Sequence, residues 1–103
     1  MTDGVQMDRL AARDRLTVFT LHSAYEIVVV GPAEGEILVR GGQFFRDFTP
    51  AHLTGATLGG SFVKALSIYV GFRIAFDFGR GRVLTSSVKA ITLAASCPQP
   101  QVI

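Results

Sequence analysis

A glycine-rich run at residues 55–61 is the local feature of this 103-residue chain best suited to ligand chemistry. Glycine-rich loops can turn backbone N–H groups toward an anion. The candidate ligand-binding residues are therefore Gly55, Thr57, Gly59, Gly60 and Ser61. A Walker-type phosphate loop needs a lysine directly after its last glycine and a helix behind it. Here Ser61 follows Gly60 and the next element is predicted as a strand, so anion binding competes with a plain turn between strands.

Basic and aromatic side chains offer a second chemistry, because small five-stranded barrels bind single-stranded nucleic acid by stacking bases on aromatic rings beside cations. The candidate residues for this function are Tyr69, Arg73, Arg80 and Arg82. The net charge of only +2, from 10 Lys and Arg against 8 Asp and Glu, weakens this hypothesis. Nucleic-acid binding therefore stays an alternative that the sequence does not favour.

Metal binding and catalysis have little support in the sequence. His22 and Glu26 share a face of a predicted strand but lie about 13 Å apart, too far to chelate one ion. His52, Asp47 and Asp77 would have to be assembled by the fold. Cys97 precedes Pro98 near the end of the chain, far in sequence from either histidine. We predict no catalytic residues, no metal site and no cofactor, and we leave enzyme activity open but disfavoured.

Composition favours one folded domain. Hydrophobic residues make up 49% and charged residues 17%, unlike a disordered chain. A single cysteine excludes an internal disulfide framework. The longest apolar stretch, residues 27–30, is far shorter than the ~20 residues of a membrane helix, so we expect a cytoplasmic protein without a membrane partner. The mean hydropathy of +0.39 is high for a small monomer and predicts self-association.

Two segments carry the strongest strand patterns. Every even position of residues 66–78 is apolar, which predicts one long strand bent at Gly71 and paired, across a loop at 79–81, with residues 82–94. Apolar residues at odd positions run through 16–30. A hairpin at Ser23-Ala24 would need positive φ, which glycine or asparagine supplies more readily. We therefore favour a single strand, bent near Ser23, over the hairpin.

The rest of the chain is punctuated by turns. Residues 31–35 predict a turn and 36–40 a strand, whereas Thr49-Pro50 resembles the start of one helical turn, followed by a glycine loop at 54–60. Residues 1–15 form either a short helix beginning at Asp8 or a disordered segment, 16–95 form the β domain, and 96–103 form a tail.

The predicted fold is all-β, a small antiparallel barrel or bent roll of about five to six strands, preceded by either a short N-terminal helix or a disordered segment. The predicted core lies on one face of these strands and contains Phe19, Leu21, Tyr25, Ile27, Val29, Ile37, Val39, Leu66, Ile68, Val70, Phe72, Ile74 and Phe76.

Residues 20–25, 58–61, 70–73 and 85–88 resemble segments of short bacterial proteins of unknown function, over about residues 16–92. The resemblance implies no activity. The function that the residues favour is a noncatalytic interaction module that self-associates. Single-stranded nucleic-acid binding and anion or small-ligand binding are the alternatives.

Overall fold

The computed structural model describes residues 2–58, 63–79 and 81–94. These residues form antiparallel sheets, which confirms the mostly β class. The strands are β1 (Gly4–Gln6), β2 (Arg15–Thr20), β3 (Ala24–Gly31), β4 (Glu36–Gly41), β5 (Phe45–Thr57), β6 (Val63–Ala65), β7 (Ser67–Tyr69), β8 (Arg73–Asp77), β9 (Arg82–Leu84) and β10 (Val88–Ala94).

The main sheet has the strand order β10-β2-β3-β4-β5-β8-β9, with β6 paired to β5. Over the described residues this sheet does not close into a barrel, and ten strands replace the five or six predicted. The two end strands, β9 and β10, are not paired with each other. Val88, at the start of β10, bonds to the turn at 70–72: its N–H donates to the Phe72 carbonyl at 2.8 Å, and its carbonyl accepts from Gly71 N–H at 2.9 Å. A separate pair, β1 and β7, forms the second sheet.

Residues 16–30 form a hairpin, so the single bent strand was wrong. β2 pairs with β3 from Arg15↔Val28 to Phe19↔Ala24. The turn at Leu21-His22 needs no positive φ, because Thr20 closes it: its N–H and its hydroxyl both donate to the Ser23 carbonyl. The hairpin switches the buried positions from even in β2 to odd in β3.

Residues 66–78 are extended but divided. β7 and β8 are joined by a bend at residues 70–72, where Gly71 has φ +91°. The predicted bend is confirmed at Gly71, although its two arms join different sheets. The predicted partner at 82–94 also divides: β9 pairs with β8, whereas β10 pairs with β2.

The helical turn at 49–53 and most of the glycine loop at 54–60 were wrong, because residues 45–57 form β5, the longest strand. β5 bonds to β4 and then β6 along one edge, and to β8 along the other. Pro50 is tolerated because pairing with β8 begins only at His52, so Pro50 precedes the part of β5 that needs donors on both edges.

The N-terminal segment also differs from the predicted helix. Only Met7–Arg9 forms a single 3₁₀ turn, and β2 already begins at Arg15. Met7 is buried in the core and β1 pairs with β7, so these residues are ordered against the domain.

The core prediction was right for most of its members. Buried as predicted are Tyr25, Ile27, Val29, Ile37, Val39, Ile68, Ile74 and Phe76. Leu66, Val70 and Phe72 are half-buried. Phe19 and Leu21 were wrong: they are 44% and 61% exposed, because the hairpin turns Leu16 and Val18 inward instead.

Candidate interaction surface

The glycine-rich run does not form a separate loop at its start. Gly55 and Thr57 lie within β5, between β6 and β8, and Thr57 is buried. Gly55 has φ +152°, and a side chain there would collide with the Lys64 carbonyl. The close approach of β6 therefore explains this glycine without a ligand. Gly59, Gly60 and Ser61 lie outside the described residues.

The proposed nucleic-acid residues are divided between the two sheets. Tyr69 lies in β7, where a side chain at Gly4 would overlap its ring and where its hydroxyl accepts a hydrogen bond from Gln6 Nε2 at 3.1 Å. Arg73 begins β8 opposite Thr57. Arg82 in β9 donates from Nε to Asp77 Oδ1 at 2.9 Å. Arg80 lies outside the described residues.

The histidines do not come together. His22 is exposed at the tip of the β2–β3 hairpin, with its N–H bonded to Ser86 Oγ. His52 in β5 is the cross-strand partner of Asp77. Within the part of the chain that the structure describes, no group of three His, Cys, Asp or Glu side chains is placed to hold a metal ion. Cys97 lies outside that part.

Cross-strand register creates a polar row on the side of the sheet that faces away from the core. The row, which runs across β4, β5, β8 and β9, consists of Glu36, His52, Asp77 and Arg82. Hydrogen bonds from Arg82 and then from the Thr54 hydroxyl hold the pKa of the Asp77 carboxyl below its usual range. Because all four side chains stand on strands beside solvent, and Asp77 and Arg82 form an ion pair, this row is a solvated polar surface.

The outer side of β2, β3, β4, β10 and residues 48–50 of β5 is unlike the polar row. We call it the apolar face. An antiparallel sheet with one face on the core normally places polar residues on the other. Here most outward positions are apolar or small, namely Phe19, Ala24, Val28, Val30, Leu38, Phe48, Pro50 and Ala90, and the charged ones are Arg15, Glu26 and Arg40. Phe19 and Val30 are 44% and 47% exposed, respectively.

One ion pair lies within the apolar face. Glu26 of β3 and Arg40 of β4 are cross-strand partners, and Arg40 donates to Glu26 Oε1 from Nε at 2.9 Å and from Nη2 at 2.6 Å. The guanidinium carbon lies 4.3 Å from the centre of the Phe48 ring. Phe48 reaches this position because residues 46–48 of β5 bulge opposite the single residue Arg40 of β4.

The apolar face also contains a shallow depression of about 140 Å³. Thr17 and Thr92 are cross-strand partners, and their short side chains form part of the lining together with Val28 and Phe48. A second depression, of about 210 Å³, lies between the N-terminal segment and β6–β7, with Gln6, Asp8 and Ser67 in its lining. Asp8 is the single titratable residue in the lining of this second depression, so we assign the depression no chemistry.

Sequence reasoning missed the apolar face, although its signal was present. In the hairpin, the outward positions of β2 and β3 are Arg15, Thr17, Phe19, Ala24, Glu26, Val28 and Val30, of which Arg15 and Glu26 are charged. The single-strand reading placed Phe19 in the core and so removed it from the surface. The choice between strand and hairpin therefore decided which residues were considered for binding.

No family model, curated protein or solved structure matches this chain. Over the described residues, the structure contains no helix with the length and apolar character needed to cross a membrane.

Proposed function

We propose that this protein is a noncatalytic interaction module that self-associates through the apolar face. The observation that carries the proposal is the exposure of apolar side chains where an antiparallel sheet usually presents polar ones. A sheet stabilises its apolar surface by packing it against a second layer. On the core side, residues of the same chain supply this second layer. On the apolar face, a second copy of the chain can supply it.

The alternatives have less support from the geometry. Asp77 pairs with Arg82, and the ring of Tyr69 packs against Gly4, so two of the four nucleic-acid candidates already have partners within the chain. Of the anion-site candidates, the described pair Gly55 and Thr57 is buried inside β5. The apolar face is therefore the surface we assign to binding.

Sedimentation velocity of the full chain tests the proposal. Between about 1 and 200 µM, in the range where weak interfaces assemble, the mean mass should rise toward that of a dimer. A mass that stays at the monomer value over this whole range would refute self-association.

Leu38→Lys locates the interface, with Leu84→Lys as its control. Leu38 lies in β4 and belongs to the apolar face, whereas Leu84 is an exposed residue of β9, the end strand of the sheet, which lies outside that face. The change of residue is the same in both. Leu38→Lys should weaken the dimer at least about tenfold, or about 1.4 kcal/mol, because it places a charge in an apolar contact. Equal weakening by both variants would show that the apolar face is not the interface.

A further inference from the structure

The Glu26–Arg40 pair leaves part of its hydrogen-bonding capacity unused. Both hydrogen bonds from Arg40 go to a single carboxylate oxygen, Oε1. Among the residues that the structure describes, neither Glu26 Oε2 nor Arg40 Nη1 has a hydrogen-bond partner. The pair therefore presents a free carboxylate oxygen and a free guanidinium nitrogen, at side chains that are 49% and 42% exposed, respectively.

We propose that the self-association described above, on which this inference rests, is a two-fold dimer in which the Glu26–Arg40 pairs of two copies face each other. Glu26 and Arg40 lie side by side on neighbouring antiparallel strands. A two-fold axis that passes between them, in the plane of the face and parallel to the strands, places each Glu26 opposite Arg40 of the other copy. Charge complementarity then arises from a single patch, as a two-fold interface requires.

The same axis gives a packing that sheets adopt. Because it runs parallel to the strands, β3 of one copy lies over β4 of the other with the strand axes parallel and the chain directions opposite. Face-to-face sheets keep their strands within about 30° of each other. The axis that pairs the charges is therefore also the axis that stacks the two apolar faces.

Arg40 is already held in the conformation that this dimer needs. Its guanidinium is fixed between Glu26 and the Phe48 ring. Little side-chain freedom remains to be lost on association, so preorganisation favours the contact. In the dimer, the flanking Val28 and Leu38 of both copies would exclude water from the charges, which strengthens an ion pair relative to an exposed one.

The size of the face sets the expected affinity. The axis between β3 and β4 stacks β2 to β5 of the two copies, and four strands at about 4.8 Å spacing and about 20 Å length give a flat footprint of roughly 400 Å² per copy. Stable interfaces bury about 800 Å² per partner. A dimer of this size lies at the weak end, and we expect dissociation in the micromolar range.

Charge reversal with mixing tests the geometry. Glu26→Arg and Arg40→Glu each break the pair within the chain and place like charges across the axis, so each variant alone should self-associate at least about tenfold more weakly than the wild type. Mixed in equal amounts, the two variants should form a heterodimer within about threefold of the wild-type affinity, because opposite charges again face each other. Fluorescence anisotropy of one labelled variant, titrated with the other, measures this recovery.

A matched pair on the polar row provides the control. Asp77→Arg and Arg82→Asp make the same kind of charge change away from the apolar face, and each should dimerise as the wild type does. Circular dichroism checks that each variant is folded. If a charge-reversal variant does not fold, the single neutral variants Glu26→Gln and Arg40→Gln replace it, and each should dimerise more weakly than the wild type.

The outcomes separate the two proposals. If the wild type dimerises while Glu26→Arg and Arg40→Glu dimerise equally well, or while their mixture does not recover affinity, the two-fold arrangement is wrong and self-association stands. If the wild type stays monomeric, self-association itself is wrong.

Discussion

Two ion pairs on the outer side of one sheet have similar exposure and different surroundings. Glu26–Arg40 joins β3 to β4, and Asp77–Arg82 joins β8 to β9. Both carboxylate oxygens of Asp77 are used within the chain: Oδ1 accepts from Arg82 Nε, and Oδ2 accepts from the Thr54 hydroxyl at 2.7 Å. Glu26 uses one oxygen.

The neighbours of each pair extend this contrast. Asp77 and Arg82 belong to the polar row with His52, whereas Glu26 and Arg40 lie among Val28, Leu38 and Phe48. Exposed ion pairs alone contribute little to stability. Exposed fraction therefore does not distinguish these two ion pairs, whereas unused hydrogen-bonding capacity and apolar neighbours do.

The largest expected effect on stability comes from the core, which lies beneath both the apolar face and the polar row. The ring of Phe76 lies 5.9 Å from those of Tyr25 in β3 and Phe45 in β5, measured between centroids. Phe76→Ala should lower the free energy of unfolding by about 3–5 kcal/mol, because it leaves a cavity beneath both regions. Urea titration followed by circular dichroism should show one transition at lower urea. Two transitions, or a loss below about 1 kcal/mol, would mean that the regions do not share this core.

An intermediate effect is specific to the apolar side. Gly41 has φ +132°, and a side chain there would collide with the Ala24 carbonyl of β3. Gly71 has φ +91° with open space around it, so it serves as the control. Gly71→Ala should cost about 1–2 kcal/mol from backbone strain. Gly41→Ala should cost at least about 1 kcal/mol more in urea unfolding because of the collision. Equal losses would show that β3 and β4 separate easily.

The smallest effect belongs to the polar row and depends on pH. Because the pKa of folded Asp77 is lowered, its carboxylate stabilises the fold above the unfolded pKa of about 3.9, and that contribution is lost as pH falls through the folded pKa. Since Asp77 is 40% exposed, Asp77→Asn should cost less than about 1 kcal/mol at pH 7.

Urea unfolding of wild type and Asp77→Asn at pH 7, 5, 3 and 2 should show this difference shrinking toward zero. Asp3→Asn, at an exposed carboxyl in the N-terminal segment, is the control and should change stability by less than about 0.5 kcal/mol. A difference for Asp77→Asn that stays constant with pH would assign the effect to lost packing rather than to the ion pair.

The local patterns predicted the β class and most of the core. Alternation at 66–78 identified a buried face that includes Ile68, Ile74 and Phe76, and Gly71 marked the bend. These features depend on residues near one another in sequence, so periodicity is sufficient to find them. The pairing of β8 with β9 across residues 79–81 was also right, whereas the pairings of β2 with β3 and of β10 with β2 were not predicted.

Two errors have specific physical causes. Thr20 and Ser23 close the β2–β3 turn with their own hydrogen bonds, which removes the need for the glycine that the prediction required. Thr49-Pro50 has the composition of a helix start, but pairing with β4 on one edge overrides that local preference. The apolar face could not be predicted, because it becomes visible only after the hairpin assigns Phe19 to the outside.

The placement of β5 has a consequence for how the molecule opens. From His52 onward its backbone is bonded along both edges, to β4 or β6 and to β8, whereas β9 and β10 end the sheet. In deuterium exchange, we expect amides at 53–57 to be the last to exchange, at rates that report global unfolding, while β9 exchanges through local fraying. β5, which joins the apolar face to the polar row, would then have the most protected backbone amides in the protein.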